Sequence, residues 1–267
     1  MPKYIAALFI LFISLNVQAQ TWEIGGGAGM AGYIGDLNIN NPIKPSGGFA
    51  GLFVKRNFNR YIAAKLSYTF GQISGADSTS DYQQFRDRNL SFTTPLKELS
   101  LVAEFNFMSY IPDAGKNIYT PYIYAGGGIT AFAPRAMING NQVSLRYLRT
   151  EGQPNEYAKY TLVLPFGAGI KYNISGKWTL AADVGYRITR TDYLDDVSRN
   201  YADKSKFTNS TARALSDRSG EKTKIYIGEA GTQRGDYRPR DFYMFAGFTI
   251  SYTFVTQQCY YCLLYTS

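Results

Sequence analysis

The sequence predicts an all-β chain folded as an eight-stranded antiparallel up-and-down transmembrane β-barrel, with short periplasmic turns and long outer loops. Three observations predict it. Apolar residues recur at every second position in one segment after another, the connections between those segments alternate short and long, and beyond the first residues no stretch is apolar enough for a spanning helix.

The start of the chain has the form of an export signal. Lys3 supplies a basic beginning, residues 5–15 are apolar apart from Ser14, and Val17-Gln18-Ala19 offers the small residues a signal peptidase reads. The expectation is a signal peptide over 1–19, cleaved after Ala19. The run is too short to cross a hydrocarbon core of about 30 Å, and no cysteine stands at the junction to take a lipid. A barrel over 20–254 and a tail over 255–267 follow.

Segments 22–34, 48–56 and 119–132 are glycine-rich strands, carrying Gly25-Gly26-Gly27 and Gly126-Gly127-Gly128, where small residues suit tight curvature. The other five show a clear period of two. Ile62, Ala64, Leu66, Tyr68 and Phe70 oppose Ala63, Lys65, Ser67 and Thr69. Leu99, Leu101, Ala103, Phe105 and Phe107 oppose Glu98, Ser100, Val102, Glu104 and Asn106. Leu162, Leu164, Phe166, Ala168, Ile170 and Tyr172 oppose Val163, Gly167, Gly169 and Lys171. Trp178, Leu180, Ala182, Val184, Tyr186 and Ile188 oppose Thr179, Ala181, Asp183, Gly185 and Arg187. Last, Phe242, Met244, Ala246, Phe248, Ile250, Tyr252 and Phe254 oppose Asp241, Tyr243, Phe245, Gly247, Thr249, Ser251 and Thr253. In each pair the first set is greasy and is expected to meet lipid. Each segment is near the roughly 9–11 residues that cross a bilayer at a tilt.

Short connections fall at 57–59, 109–118 and 173–177, and long ones at about 35–47, 72–95, 133–160 and 189–240. An up-and-down barrel sorts its loops this way by rim, and an even strand count puts both barrel ends on the short-turn, periplasmic side. Trp22, Tyr33, Tyr61, Tyr119, Tyr172, Trp178 and Tyr252, near strand ends, fit aromatic girdles. Phe254 resembles the terminal signal read by barrel-assembly machinery. Composition agrees: 16% aromatic residues, with 23 Tyr and 17 Phe, against only 18% charged residues, below the quarter or so of a soluble domain. Mean hydropathy is −0.23, which excludes a bundle of transmembrane helices.

The inward set includes Lys65, Glu98, Glu104, Lys171, Asp183, Arg187 and Asp241. An eight-stranded barrel is only wide enough for side chains to fill it. Opposite charges inside are therefore expected to pair, because an isolated buried charge is too costly. A plugged, structural lumen follows.

Chemistry is hard to find. The chain has no histidine, which removes most hydrolase triads, the commonest general base and His-bearing zinc sites. There is no nucleophile elbow and no phosphate-binding loop. Neither catalytic residues nor a cofactor is expected. Asp192, Asp195 and Asp196 in TDYLDDVS (191–198) are the weak candidates for a calcium site. The preferred reading makes them a loop-base motif paired with arginines such as Arg187 or Arg190. Arg234-Gly235-Asp236 is a tripeptide common by chance. The net charge of +8 is spread over loops and strands, suiting contact with outer-membrane lipid and lipopolysaccharide or a protein partner better than nucleic acid. Cys259 and Cys262 form a C-x-x-C, but CLLYTS (262–267) resembles the translation of a sequencing adapter and is set aside.

Three segments also carry a family resemblance. GGGAGMAGYIGDLN (25–38), TDYLDDVS (191–198) and RGDYRPRDFYMFAGFTISYTF (234–254) resemble the PorG-like outer-membrane β-barrels. The resemblance implies an outer-membrane component of the type IX secretion system that contacts its periplasmic ring and ties it to the membrane. No contact residue is carried over; such contact would use the 109–118 turn or the tail. Two alternatives stand beside it: a stand-alone surface barrel of the OmpA or OmpX sort, serving adhesion or envelope integrity, and a narrow small-solute channel.

Overall fold

The computed structural model describes residues 21–112 and 117–255. The expected signal peptide, Asp113, Cys259, Cys262 and the 262–267 segment lie outside the described residues.

Eight strands close on themselves: β1 (Thr21–Ile34), β2 (Pro45–Asn57), β3 (Ile62–Ala76), β4 (Ser91–Asn106), β5 (Tyr119–Phe132), β8 (Tyr160–Ser175), β9 (Trp178–Thr189) and β10 (Phe242–Val255). Each pairs antiparallel with the next, and β10 pairs with β1, so the barrel has no free edge. Two further strands, β6 (Arg135–Ile138) and β7 (Asn141–Ser144), make a hairpin in the third outer loop, tied to β4 through Thr93 and Arg135. Short helices α1 (Gln83–Arg88), α2 (Ser210–Ser216) and α3 (Gly220–Thr223) lie in the second and fourth outer loops. Among the described residues no helix is long and apolar enough to cross a membrane.

The eight barrel strands run to 12–16 residues, longer than the expected span. The loop expected over 72–95 shrinks to 77–90, because β3 and β4 keep pairing from Gln72 opposite Pro95 up to Ala76 opposite Ser91. The physical reason is a reversal of polarity. In the lower part of β4, Leu99, Leu101 and Phe105 face outward and are exposed; above Lys97, apolar Phe92 and Leu96 turn inward and are buried. That stretch encloses an apolar core, so a reading phased on greasy outward residues loses it.

The exterior of the lower barrel is a continuous apolar belt. Val54 pairs with Leu66, Leu66 with Leu101, and Leu180 with Ile250, all exposed. At the short-turn rim Trp22 lies opposite Phe254, Trp178 opposite Tyr252, and Tyr119 opposite Tyr172. The Trp178 and Tyr252 rings meet edge to face at 5.1 Å, and the Arg56 guanidinium covers Trp22 at 5.4 Å. Greasy bands flanked by amphipathic rings suit a bilayer interface. One outward residue departs from the pattern: Met244 is buried, its Cε lying against Gly32 where the Lys44 carbonyl also approaches. Tyr33, expected in a girdle, is instead fully buried in the interior.

Inside, the barrel has two zones. The half nearer the short turns is filled by charged and tyrosine side chains. The outer half is an apolar core of Tyr33, Ile73, Phe92, Leu96, Tyr243 and Phe245, continued upward by Leu194, Val197 and Leu215 of the fourth loop. The outer loops thus form a folded cap.

Candidate functional site: two buried charge clusters

The lower cluster is assembled by strand alternation. Glu23 on β1 faces Lys55 on β2 directly across the ladder, with Nζ 2.7 Å from Oε2. Lys55 in turn lies opposite Lys65 on β3, a like-charge pair that would repel alone. Glu104 on β4 resolves the conflict: it is 2.9 Å from Lys65, 2.6 Å from Lys171 and 3.8 Å from Lys55. Lys171 also donates to Asn106 at 2.8 Å, and Asn57 and Ser251 donate to Glu23 at 2.6 and 2.9 Å. Charges stripped of water are tolerable here because nearly every lone pair and proton has a partner.

Above it, Arg187 is 3.3 Å from Glu98, whose Oε2 accepts a hydrogen bond from Tyr243 at 2.7 Å. The guanidinium also stacks 4.4 Å over the Phe245 ring. Asp183 accepts from Tyr122 and Tyr124 at 3.1 and 3.3 Å. Those tyrosines lie flat across the β8 glycines, where an added Cβ would come 2.7 Å from Tyr124 at Gly167 and 2.8 Å from Tyr122 at Gly169. The glycine face of β8 therefore makes room for the rings that hold the carboxylate. The remaining cavity among Lys65, Glu98, Asp183 and Arg187 is only about 60 Å³, room for a few waters.

Six of the seven inward charges named from the sequence thus lie inside the barrel wall, and Glu104, Lys65 and Lys171 meet in one network. Asp241 does not join them. It ends the fourth outer loop and belongs to the cap. Glu23 and Lys55 escape the sequence reading because they sit in glycine-rich segments whose phase is faint. Alternation is visible there too, with Trp22 and Ile24 flanking Glu23, and Val54 and Arg56 flanking Lys55.

The upper cluster gathers the three sequence segments of the family resemblance. β1 ends by delivering Tyr33 and Asp36, the fourth loop brings Asp192 and Asp195, and Asp241 precedes β10. One carboxylate oxygen from each of Asp36, Asp192 and Asp241 lies within 4.8 Å of the other two. The Tyr33 hydroxyl donates to Asp195 at 2.5 Å and lies 3.4 Å from Asp241. Asp195 Oδ1 and Asp241 Oδ2 accept backbone N–H groups of Val197 and Leu194, both at 2.9 Å. Gly35 is required, since a Cβ there would overlap Asp241 Oδ1 and the Tyr33 hydroxyl.

Among the described residues no Lys or Arg forms an ion pair with Asp36, Asp192, Asp195 or Asp241. Burial, then the neighbouring Asp195 and Asp236, push the Asp36 carboxyl up to about 9. Burial raises Asp195 to about 8 and Asp192 to about 7, and holds Asp241 well above the usual carboxylate range.

Around this cluster two buried arginines brace the loops. Arg88 makes a two-pronged contact with Asp77, both arms at 2.7 Å, and donates to the carbonyls of Arg234 and Asp36. Arg234 pairs with Glu151 at 3.0 Å and donates to the carbonyls of Asp196 and Ser216. The Asp196 carboxylate is occupied by the hydroxyls of Thr150 and Tyr157. The expected pairing of Asp192, Asp195 and Asp196 with Arg187 or Arg190 is therefore corrected. Arg187 is committed to Glu98 in the lumen, and Arg234, from the tripeptide read as chance, is the arginine beside Asp196. Calcium ligation by Asp192, Asp195 and Asp196 together is corrected as well, because these three do not converge on one point; Asp192 converges instead with Asp36 and Asp241. Distance along the chain hides this: nothing local in the sequence links residue 36 to residue 192 or 241.

No curated protein matches the sequence. Among solved structures, the attachment invasion locus protein Ail of Yersinia pestis, in complex with a heparin analogue, is 11% identical with a TM-score of 0.41; the match covers 89% of this chain and 100% of that one. The outer membrane protein OprG of Pseudomonas aeruginosa is 11% identical at a TM-score of 0.43, covering 89% and 97%. A major outer membrane protein of Thermus thermophilus is 14% identical at 0.42, covering 89% and 100%. A family model described as a domain of unknown function, DUF6089, matches residues 2–214, and the chain belongs to that family.

Proposed function

We propose that this chain is a non-catalytic outer-membrane barrel that anchors or organises a protein secretion apparatus, of type IX, through periplasmic contacts. The observation that carries the barrel role is the pairing of an apolar exterior with a filled, ion-paired interior. A barrel with room for only a few waters among Lys65, Glu98 and Arg187 is built to hold position in lipid, and its two rims are the surfaces left for partners. The short-turn rim exposes Phe58, Tyr61, Ile118 and Ile174, apolar groups suited to a protein contact beside the membrane. The secretion role itself rests on the resemblance to PorG-like barrels.

The test is co-purification of the tagged barrel with periplasmic ring proteins from detergent-solubilised envelopes. Capture should be lost when Phe58 and Tyr61 are both changed to Ser, with the barrel still folded. Normal export of secreted cargo in a deletion strain would overturn the secretion role. A second reading, a stand-alone surface barrel that meets lipopolysaccharide or neighbouring proteins, is favoured by the folded cap, since loops braced by buried Arg88 and Arg234 present a fixed outer surface. Loss of adhesion on trimming that cap, with export intact, would select it. Discrete conductance in planar bilayers would instead restore the small-solute channel.

A further inference from the structure

We propose that Asp36, Asp192 and Asp241 form a calcium site at the base of the outer cap, a site that locks the first and fourth loops to the mouth of the barrel. Two oxygens bound to one calcium ion at 2.3–2.6 Å can stand no more than about 5 Å apart. The three carboxylate oxygens meet that limit, lying within 4.8 Å of one another.

A group of acids alone would mean little. The second observation is an orphaned atom. Asp36 is 2% exposed; its Oδ1 accepts the N–H of Asp236, while Oδ2 is buried without any hydrogen-bond partner. A buried carboxylate oxygen with no donor is a costly arrangement, and Asp192, Asp195 and Asp236 bring further negative charge against it. Arg88 spends its charge on Asp77 and reaches Asp36 only at the backbone carbonyl. The missing counter-charge is a cation.

The donor set selects its kind. Three carboxylates, with the Tyr33 hydroxyl close by and no His or Cys thiolate among them, are hard oxygen donors that favour calcium over softer transition metals. Surrounding hydrogen bonds hold the donors in place: Leu194 N–H fixes Asp241, and Tyr33 bridges Asp195 towards Asp241. Half-buried Asp192 also lines an open pocket of about 370 Å³ together with Arg190, Arg199 and Arg238. The inference is independent of the secretion role and concerns only the cap.

The folded full-length barrel in detergent, stripped with chelator and titrated with calcium by calorimetry, tests it. We expect one ion per chain, saturating at or below about 1 mM, the range of extracellular calcium modules. Asp192→Asn should weaken binding at least tenfold, and Asp81→Asn, an exposed loop aspartate, should leave it unchanged. Calcium should also protect the 190–241 loop from protease in the parent and fail to do so in Asp192→Asn. Asp36→Asn gives a second reading, binding no calcium while folding at least as well as the stripped parent. Absence of saturable binding, binding unchanged in both variants, or equal displacement by magnesium would overturn the assignment.

Discussion

One strand, β1, serves two buried charge clusters that solve the same problem differently. Near its start it places Glu23 in the lumen, where Lys55, Lys65 and Lys171 surround Glu23 and Glu104. Just past its end it places Asp36 among Asp192, Asp195 and Asp241, with no Lys or Arg ion-paired to any of them among the described residues. Below, acids and bases fixed on strands around the barrel wall face one another across the lumen. Above, like charges are pressed together by loops from distant parts of the chain. The lower arrangement holds the wall of the barrel. The upper one is complete only when protons or a cation join it, so the cap can respond to its surroundings while the wall cannot.

The largest expected effect comes from breaking the balanced cluster. Glu104→Ala leaves Lys55, Lys65 and Lys171 facing one another with only Glu23 as counter-charge. Removing one partner of a buried pair costs about 3–5 kcal/mol, and we expect a loss at or above that range. Urea unfolding in detergent, followed by the heat-dependent mobility of the barrel on gels, measures it. A variant within about 1 kcal/mol of the parent would mean that water reaches the cluster and the contrast with the cap is false.

A smaller and more local loss is expected for Arg234→Ala. It removes the pair with Glu151 and the donors to the carbonyls of Asp196 and Ser216. The range for a broken buried pair again applies, about 3–5 kcal/mol, but it falls on the cap and only in part on global stability. Protease should cut the third and fourth loops faster while the barrel strands stay protected. Equal loss in loops and barrel would show the two zones to be one cooperative unit.

What is legible in the sequence follows the same division. Wherever a strand faces lipid on one side, side-chain alternation is written into adjacent residues; Lys65, Glu98, Glu104, Lys171, Asp183 and Arg187 are placed inward from it. Even there glycine blurs the signal around Glu23 and Lys55. In the upper barrel polarity reverses, so the ends of β3 and β4 read as loop. The cap is opaque for a different reason. Its contacts join Asp36 to Asp192 and Asp241, Arg88 to Arg234, and Thr150 to Asp196, pairs set by how long loops close and not by any period. TDYLDDVS advertises its acids, but not which of them will meet.

The acidity of the cap gives a pH test with a definite sign. With metal removed, Asp36 and Asp195 hold their protons up to about 9 and 8 in the folded protein, against about 3.9 for an unfolded aspartate. The folded state then binds more protons than the unfolded one. This contribution is full below about pH 4 and is lost as pH rises through the folded values. The groups facing Asp36 are Asp192, Asp195, Asp236 and Asp241, with Arg88 on the other side. In chelator, the cap should weaken steadily as pH rises from 5 to 9, read by protease cleavage of the 190–241 loop. A cap that strengthens over that interval would mean the carboxylates are ionised and paired, erasing the distinction between the clusters.

The smallest effect calibrates the rest. Arg218 and Glu221 form an ion pair at 2.9 Å on the cap surface, with the Glu221 side chain 47% exposed. Its geometry matches that of the buried pairs, and Glu221 also lies 3.3 Å from the Asn89 amide. Water, however, screens the pair and offers each partner other company. Glu221→Ala should therefore cost only about 0.2–1 kcal/mol and leave loop cleavage near the parent rate. If it instead cost as much as Arg234→Ala, charge pairing anywhere in the cap would matter equally. Burial, which separates the lumen from the surface, would then not be the variable that sets these energies.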